Sequence, residues 1–121
     1  MHENSIQQGE IYWVVADALR PSVDGAAHPH VVIQDDLLNG SRIPTTVICG
    51  ISSNLKRAHE PGNVLLAPQE GGLPLASVVI VSQVSSVEKV TLTQPVGRLS
   101  EERIQQILSG MRFLQASFFE R

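Results

Sequence analysis

"SVVIVSQVSSVEKVTL", residues Ser77 to Leu92, is the stretch from which the rest of the chain can be read. Its Val, Ile and Thr residues favour an extended backbone, because β-branched side chains pack well on a pleated surface. Strands usually run to about 5–6 residues, so this one is too long to be a single flat strand. Polar residues at Ser82, Gln83, Ser85 and Ser86 predict a bend or bulge that splits it in two.

Upstream lies more strand signal, cut by turns. "TTVICGIS" reads as a strand, followed by the polar stretch "SNLKRAHEPGN", a short strand "VLLA" and the turn "PQEGGLP". Before it, "HVVIQ" is a strand stopped by Asp35 and Asp36. Neighbouring strand residues face opposite ways, so these two carboxylates read as turn formers rather than a catalytic pair. Asn39-Gly40 in "LLNGSRIP" is the strongest hairpin signal in the chain. "GEIYWVVADA" opens the fold at Gly9, with a strand from Glu10 to about Ala16 and a loop from about Ala18 to Pro29.

Downstream the period changes. Ser100 is a good N-cap, with Glu101 and Glu102 in the first turn, where the helix dipole favours anions. Leu99 and Ile104 have the spacing of a hydrophobic staple. Ile104, Ile107, Leu108, Met111 and Leu114 recur at helical spacing, which predicts one amphipathic helix from about Glu101 to Ala116. The fold class is therefore mostly β with a C-terminal α-helix: five to seven short strands in a small twisted barrel, closed by the helix. Residues 1–8 read as a flexible N-terminus and residues 9–121 as a single domain.

Composition narrows the function. The chain has 121 residues, 42% hydrophobic and 17% charged, as in ordinary globular domains. A net charge of -3 argues against an obligate DNA binder. Cys49 is the sole cysteine and lies in an apolar run, so a buried structural thiol in a reducing cytoplasm is expected. The N-terminus "MHENSIQQ" has no signal-like apolar region, and no apolar stretch has the length of a membrane span.

Two stretches carry candidate chemistry. His28 and His30 flank Pro29 at the mouth of a strand and, two apart, face one side. Such a pair suits proton transfer or phosphate contact, or a metal; the chain has no Cys pair and few other ligands to complete a metal set. "ISSNLKRA" ends a strand with two hydroxyls, an amide and two cations, a donor set that satisfies phosphate oxygens and equally a capped strand end and solvated turn. No phosphate-cradling glycine motif, nucleophile elbow or dinucleotide fingerprint is present.

Taken in order, five segments resemble the MazF/PemK/Kid family of bacterial ribonuclease toxins: "GEIYWV", "HPHVVIQDDLLN", "VICGISSNL", "GGLPLASVVIVSQVSSVEKVTL" and "GRLSEERIQQI". The resemblance covers about residues 9 to 117. It implies an SH3-like barrel with a C-terminal helix, working as a homodimer. It also implies sequence-selective cleavage of single-stranded RNA without metal or other cofactor, by attack of the ribose 2'-hydroxyl on the adjacent phosphate. A cognate antitoxin with a disordered acidic tail would neutralise it.

The family's two central positions are an Arg before the Pro of the second strand and a Thr or Ser at the end of the third. Here they hold His28 and Ser52, the implied catalytic residues. Ser53, Asn54, Lys56, Ser77 and Gln83 are the implied RNA contacts by position. Arg forks onto phosphate and stays charged, whereas His can move a proton. The departure at His28 thus admits an alternative, a weakened or inactive module that still binds an antitoxin. A gyrase-poisoning protein of similar fold would end in Trp-Gly-Ile; this chain ends "SFFER".

Overall fold

The computed structural model describes residues 5–15 and 27–119. One six-stranded antiparallel sheet curls into a half-barrel, with strand order β4-β5-β3-β2-β1-β6. Its strands are β1 (Glu10–Val15), β2 (Ala27–Val32), β3 (Thr45–Ser52), β4 (Val64–Leu66), β5 (Ser77–Glu88) and β6 (Gly97–Arg98). A short helix α1 (Asp36–Asn39) joins β2 to β3, and the long helix α2 (Glu101–Phe119) ends the fold.

The long run from Ser77 is one continuous strand of 12 residues, and its irregularity lies in the pairing. Cys49 pairs with Val84, yet Ile51 pairs with Val79, so β5 spends five residues where β3 spends two. The extra residues form the bulge that the polar interruptions predict, and they turn the strand without ending it. β5 thereby serves both β3 and β4.

Both faces of the sheet are covered, and the consecutive residues Val31, Val32 and Ile33 are all buried. Ile11, Val31, Cys49, Ile51 and Val79 join Ile104 and Ile107 of α2 in one core cluster. Tyr12, Val14, Val32 and Ile48 form a second cluster on the opposite face, under Ile6 and Leu92. The described part of the N-terminal segment is packed: Ile6 is buried, and the Gln8 amide donates to the Ile33 carbonyl at 2.9 Å. Cys49 is fully buried and its Sγ–H donates to the Ile80 carbonyl at 3.0 Å. Burial pushes its thiol up to about 12, which suits a core residue rather than a reactive one.

Helix α2 begins as its sequence indicates. The Ser100 Oγ accepts from the Arg103 N–H at 3.2 Å, and Leu99 and Ile104 are both buried in the same cluster. It runs three residues past Ala116, to Phe119. Gly110 lets α2 approach the loop before β4, since a side chain there would strike the Gly62 carbonyl.

Two details correct the sequence reading. Asn39-Gly40 makes no two-residue hairpin. Gly40 has φ of -85°, outside the left-handed region that a hairpin turn of that type needs, and it caps α1 instead. Asn39 is drawn inward to bond Gln34, Asp36 and Thr46. Asp35 caps α1 by accepting from the Leu37 N–H at 2.8 Å. Strand β2 begins at Ala27, before the expected His30, and runs through Pro29. Pro29 is paired with Trp13 of β1, and pairing with β3 starts only at His30. The missing N–H therefore falls where β2 has one neighbour, the place a strand tolerates proline.

Candidate active site

A cleft of about 460 Å³ opens at the end of the sheet where β2 and β5 start and β3 stops. Antiparallel pairing brings these ends together. His30 is opposite Gly50. The pairing of β2 with β3 stops there, and His28 and Ser52, each two residues beyond it in sequence, both line the cleft. Ser52 in turn pairs with Val78, next to Ser77. His28, Ser52, Ser53, Ser77 and Gln83 all line this cleft.

The cleft has two unlike walls, and strand alternation explains them. His28, His30, Gly50 and Ser52 share the sheet face of Val32 and Ile48. Trp13 and Pro29 share the opposite face with Ile11 and Val31. Pro74 and Leu75, from the turn before β5, extend the apolar wall. Gly50 leaves room for Gln83: a Cβ there would crowd the Gln83 side chain and its amide would have to shift.

The polar groups differ in how far they are committed. The Ser52 Oγ accepts from the Asn54 N–H at 3.0 Å, which leaves its own proton to donate into the cleft. Ser77 is buried and its hydroxyl donates to the Leu75 carbonyl at 2.9 Å, leaving lone pairs only. His28 is exposed, whereas His30 is buried and its Nδ1 bonds the His28 carbonyl at 2.9 Å. A carbonyl only accepts, so that nitrogen carries the proton. Among the described residues no group of three or more His, Cys, Asp or Glu is placed to hold a metal ion.

Asn54 and Lys56 lie outside the cleft lining. Asn54 Oδ1 accepts from the Lys56 N–H at 3.2 Å and caps the 3₁₀ turn Leu55–His59. That turn presents Arg57 to the cleft instead. The Arg57 guanidinium is forked onto Glu60, with Nε 3.0 Å from Oε2 and Nη2 3.1 Å from Oε1. Hydrogen bonding between them raises the Arg57 pKa and lowers that of Glu60. Nη1 takes no part in this pairing. The run "SSNLKR" signals cations near the strand end, but which of Lys56 and Arg57 faces the cleft depends on the turn.

Trp13 was also missed as a site residue. In sequence it is one apolar residue of a strand; in the structure it is 51% exposed in the cleft wall.

Residues 7–114 match the family described as PemK-like, MazF-like toxin of type II toxin–antitoxin system. An endoribonuclease of Mycobacterium tuberculosis, MazF6, is 35% identical over 107 residues, 88% of this chain and 94% of the relative. A solved endoribonuclease from Mycobacterial species superposes with a TM-score of 0.73 at 16% identity, over 96% of each chain. Another Mycobacterial endoribonuclease, solved in complex with its cognate antitoxin, gives 0.69 at 14% identity, over 93% of this chain and 95% of that one. With a family match spanning nearly the whole sequence and the same fold in both structures, the chain belongs to the PemK-like, MazF-like toxins of type II toxin–antitoxin systems.

Proposed function

We propose that this protein is a toxin that cleaves single-stranded RNA, with His28 moving a proton and Ser52 stabilising phosphate charge. The observation that carries the reading is that both line one cleft: an exposed imidazole and a hydroxyl with a proton to donate. The relatives' common name, endoribonuclease, supports RNA as the substrate.

The chemistry follows from these groups. The ribose 2'-oxygen forms a bond to the adjacent phosphorus as the bond from phosphorus to the 5'-oxygen breaks. His28 takes the 2'-hydroxyl proton or supplies one to the departing 5'-oxygen, and water completes the other transfer. Ser52 donates to a non-bridging oxygen as charge grows on it. The products are a 2',3'-cyclic phosphate and a free 5'-hydroxyl. No metal is needed, since the nucleophile belongs to the substrate. Ser53, Ser77, Gln83 and Arg57 contact the RNA within the cleft, and Asn54 and Lys56 contact it beyond the rim.

A cognate antitoxin is the natural partner, and the structural relative solved with one supports it. A homodimer accounts for apolar surface left bare: Val84 on β5 and Phe113, Phe118 and Phe119 on α2 are exposed. No helix among the described residues is long and apolar enough to cross a membrane. The cytoplasm, where mRNA is found, is the proposed site of action.

The test is incubation of the purified protein with single-stranded RNA in excess EDTA. Cleavage should persist and leave cyclic phosphate ends. Abolition by EDTA with rescue by zinc, or products with 5'-phosphate ends, would overturn the mechanism.

A further inference from the structure

We infer that Trp13 is a base-stacking residue, holding an unpaired nucleobase of the substrate against the apolar wall of the cleft beside the phosphate that His28 and Ser52 engage. The inference rests on the proposed RNA-cleaving reading and adds to it a subsite for the base.

Three observations carry it. First, Trp13 is the chain's single tryptophan and its indole is 51% exposed, although β1 carries buried Ile11, Tyr12 and Val14 beside it. Large aromatic side chains usually bury most of their surface, so an indole left half bare at a cleft mouth has a face available to a ligand. Second, the lining it belongs to is partly apolar: Pro29 is its cross-strand partner, and Pro74 and Leu75 line the same cleft, with Leu75 65% exposed. Third, the same lining holds polar side chains, with His28, Ser52, Ser53 and Gln83. A nucleotide has this same division. Its sugar and phosphate need donors, and its base offers a π-face that stacks on an aromatic ring whatever the base is. The polar wall suits the backbone and the indole suits the base.

A single tryptophan makes the test direct, because all indole emission reports on Trp13. The probe is a mixed-sequence 2'-fluoro RNA oligonucleotide, which keeps the RNA sugar shape but lacks the attacking hydroxyl. Binding should quench the indole emission. Trp13→Ala should bind the labelled probe about 5- to 150-fold more weakly, while Trp13→Phe stays near wild type. Circular dichroism of the variants should match the wild type. Binding without quenching, or equal affinity in Trp13→Ala, would overturn the inference. So would an indole already shielded from acrylamide in the free protein, which would mean that a second copy of the chain covers it. The two readings fail separately. Cleavage of RNA with no quenching by the probe leaves the function standing and removes the stacking role. Quenching without cleavage does the reverse.

Discussion

The two ends of β3 are both rich in polar side chains, and they use them in opposite ways. At its start, the groups consume one another. Asn39 Nδ2 donates to the Gln34 carbonyl at 2.8 Å and to Asp36 Oδ1 at 3.1 Å. Its Oδ1 accepts from Thr46 Oγ1 at 2.8 Å and from Gln34 Nε2 at 3.0 Å. At its finish, Ser52 accepts one bond and keeps its proton, and His28 stands exposed. A closed polar network in a buried place holds structure together. An open one at a cleft mouth is available to a ligand. Polar composition alone does not separate the two; the valences left over do.

That contrast can be broken by substitution, and the largest effect is expected at the open end. His28→Ala should lower the RNA cleavage rate by about 10²–10⁴, the usual contribution of a positioned acid or base. Its urea midpoint should barely move, since exposed substitutions stay within about 0.5 kcal/mol. A variant that loses stability but cleaves normally would put His28 in the structural class. His28→Arg sharpens the point. Arg cannot release its proton, so a slow Arg variant marks proton transfer. An Arg variant as fast as wild type marks a charge clamp.

At the closed end the signs reverse. Asn39→Ala removes the hub and leaves the Gln34 carbonyl and Thr46 hydroxyl without their partner. Each group so stranded costs about 1–3 kcal/mol when buried, so a total loss of about 2–6 kcal/mol is expected in urea unfolding, toward the lower end because the Gln34 carbonyl is only part-buried. The folded fraction should cleave RNA at the wild-type rate. If activity falls further than the folded fraction does, the two ends of β3 are coupled.

The smallest effect belongs to a pair in neither class. Arg103 of α2 forks onto Glu70, with Nε 2.8 Å from Oε2 and Nη2 2.9 Å from Oε1. This bonding holds the Glu70 carboxyl below its ordinary value. The folded state therefore favours the ionised form, and the stabilisation is present at neutral pH. It is lost as pH falls through the lowered folded value, beneath the ordinary glutamate pKa of about 4.3. The pair is partly exposed, so its worth is at most about 1 kcal/mol. Glu70→Gln should lower the urea midpoint slightly at pH 7 and match the wild type in strong acid. A deficit that persists in acid would assign the effect to packing rather than charge.

Local sequence carried much of the fold, because the signals involved are local. Ser100, Leu99 and Ile104 mark the start of α2 through contacts within one turn. The polar interruptions of the Ser77 run mark a bulge because the strand itself must accommodate them. The ordered segments also carried the family, and with it the expectation that His28 and Ser52 share a site; both line the cleft. Asn39-Gly40 misled for a long-range reason: Thr46 and Gln34 offered the Asn39 side chain a buried bonding site, and that outweighed its turn preference. Where the cleft lies, that Arg57 rather than Lys56 lines it, and that Trp13 stays half bare were decided only by the tertiary structure. Exposure and convergence belong to the register between strands far apart in the chain. One strand's residues state which side chains exist and which faces they share, but not what will stand opposite them.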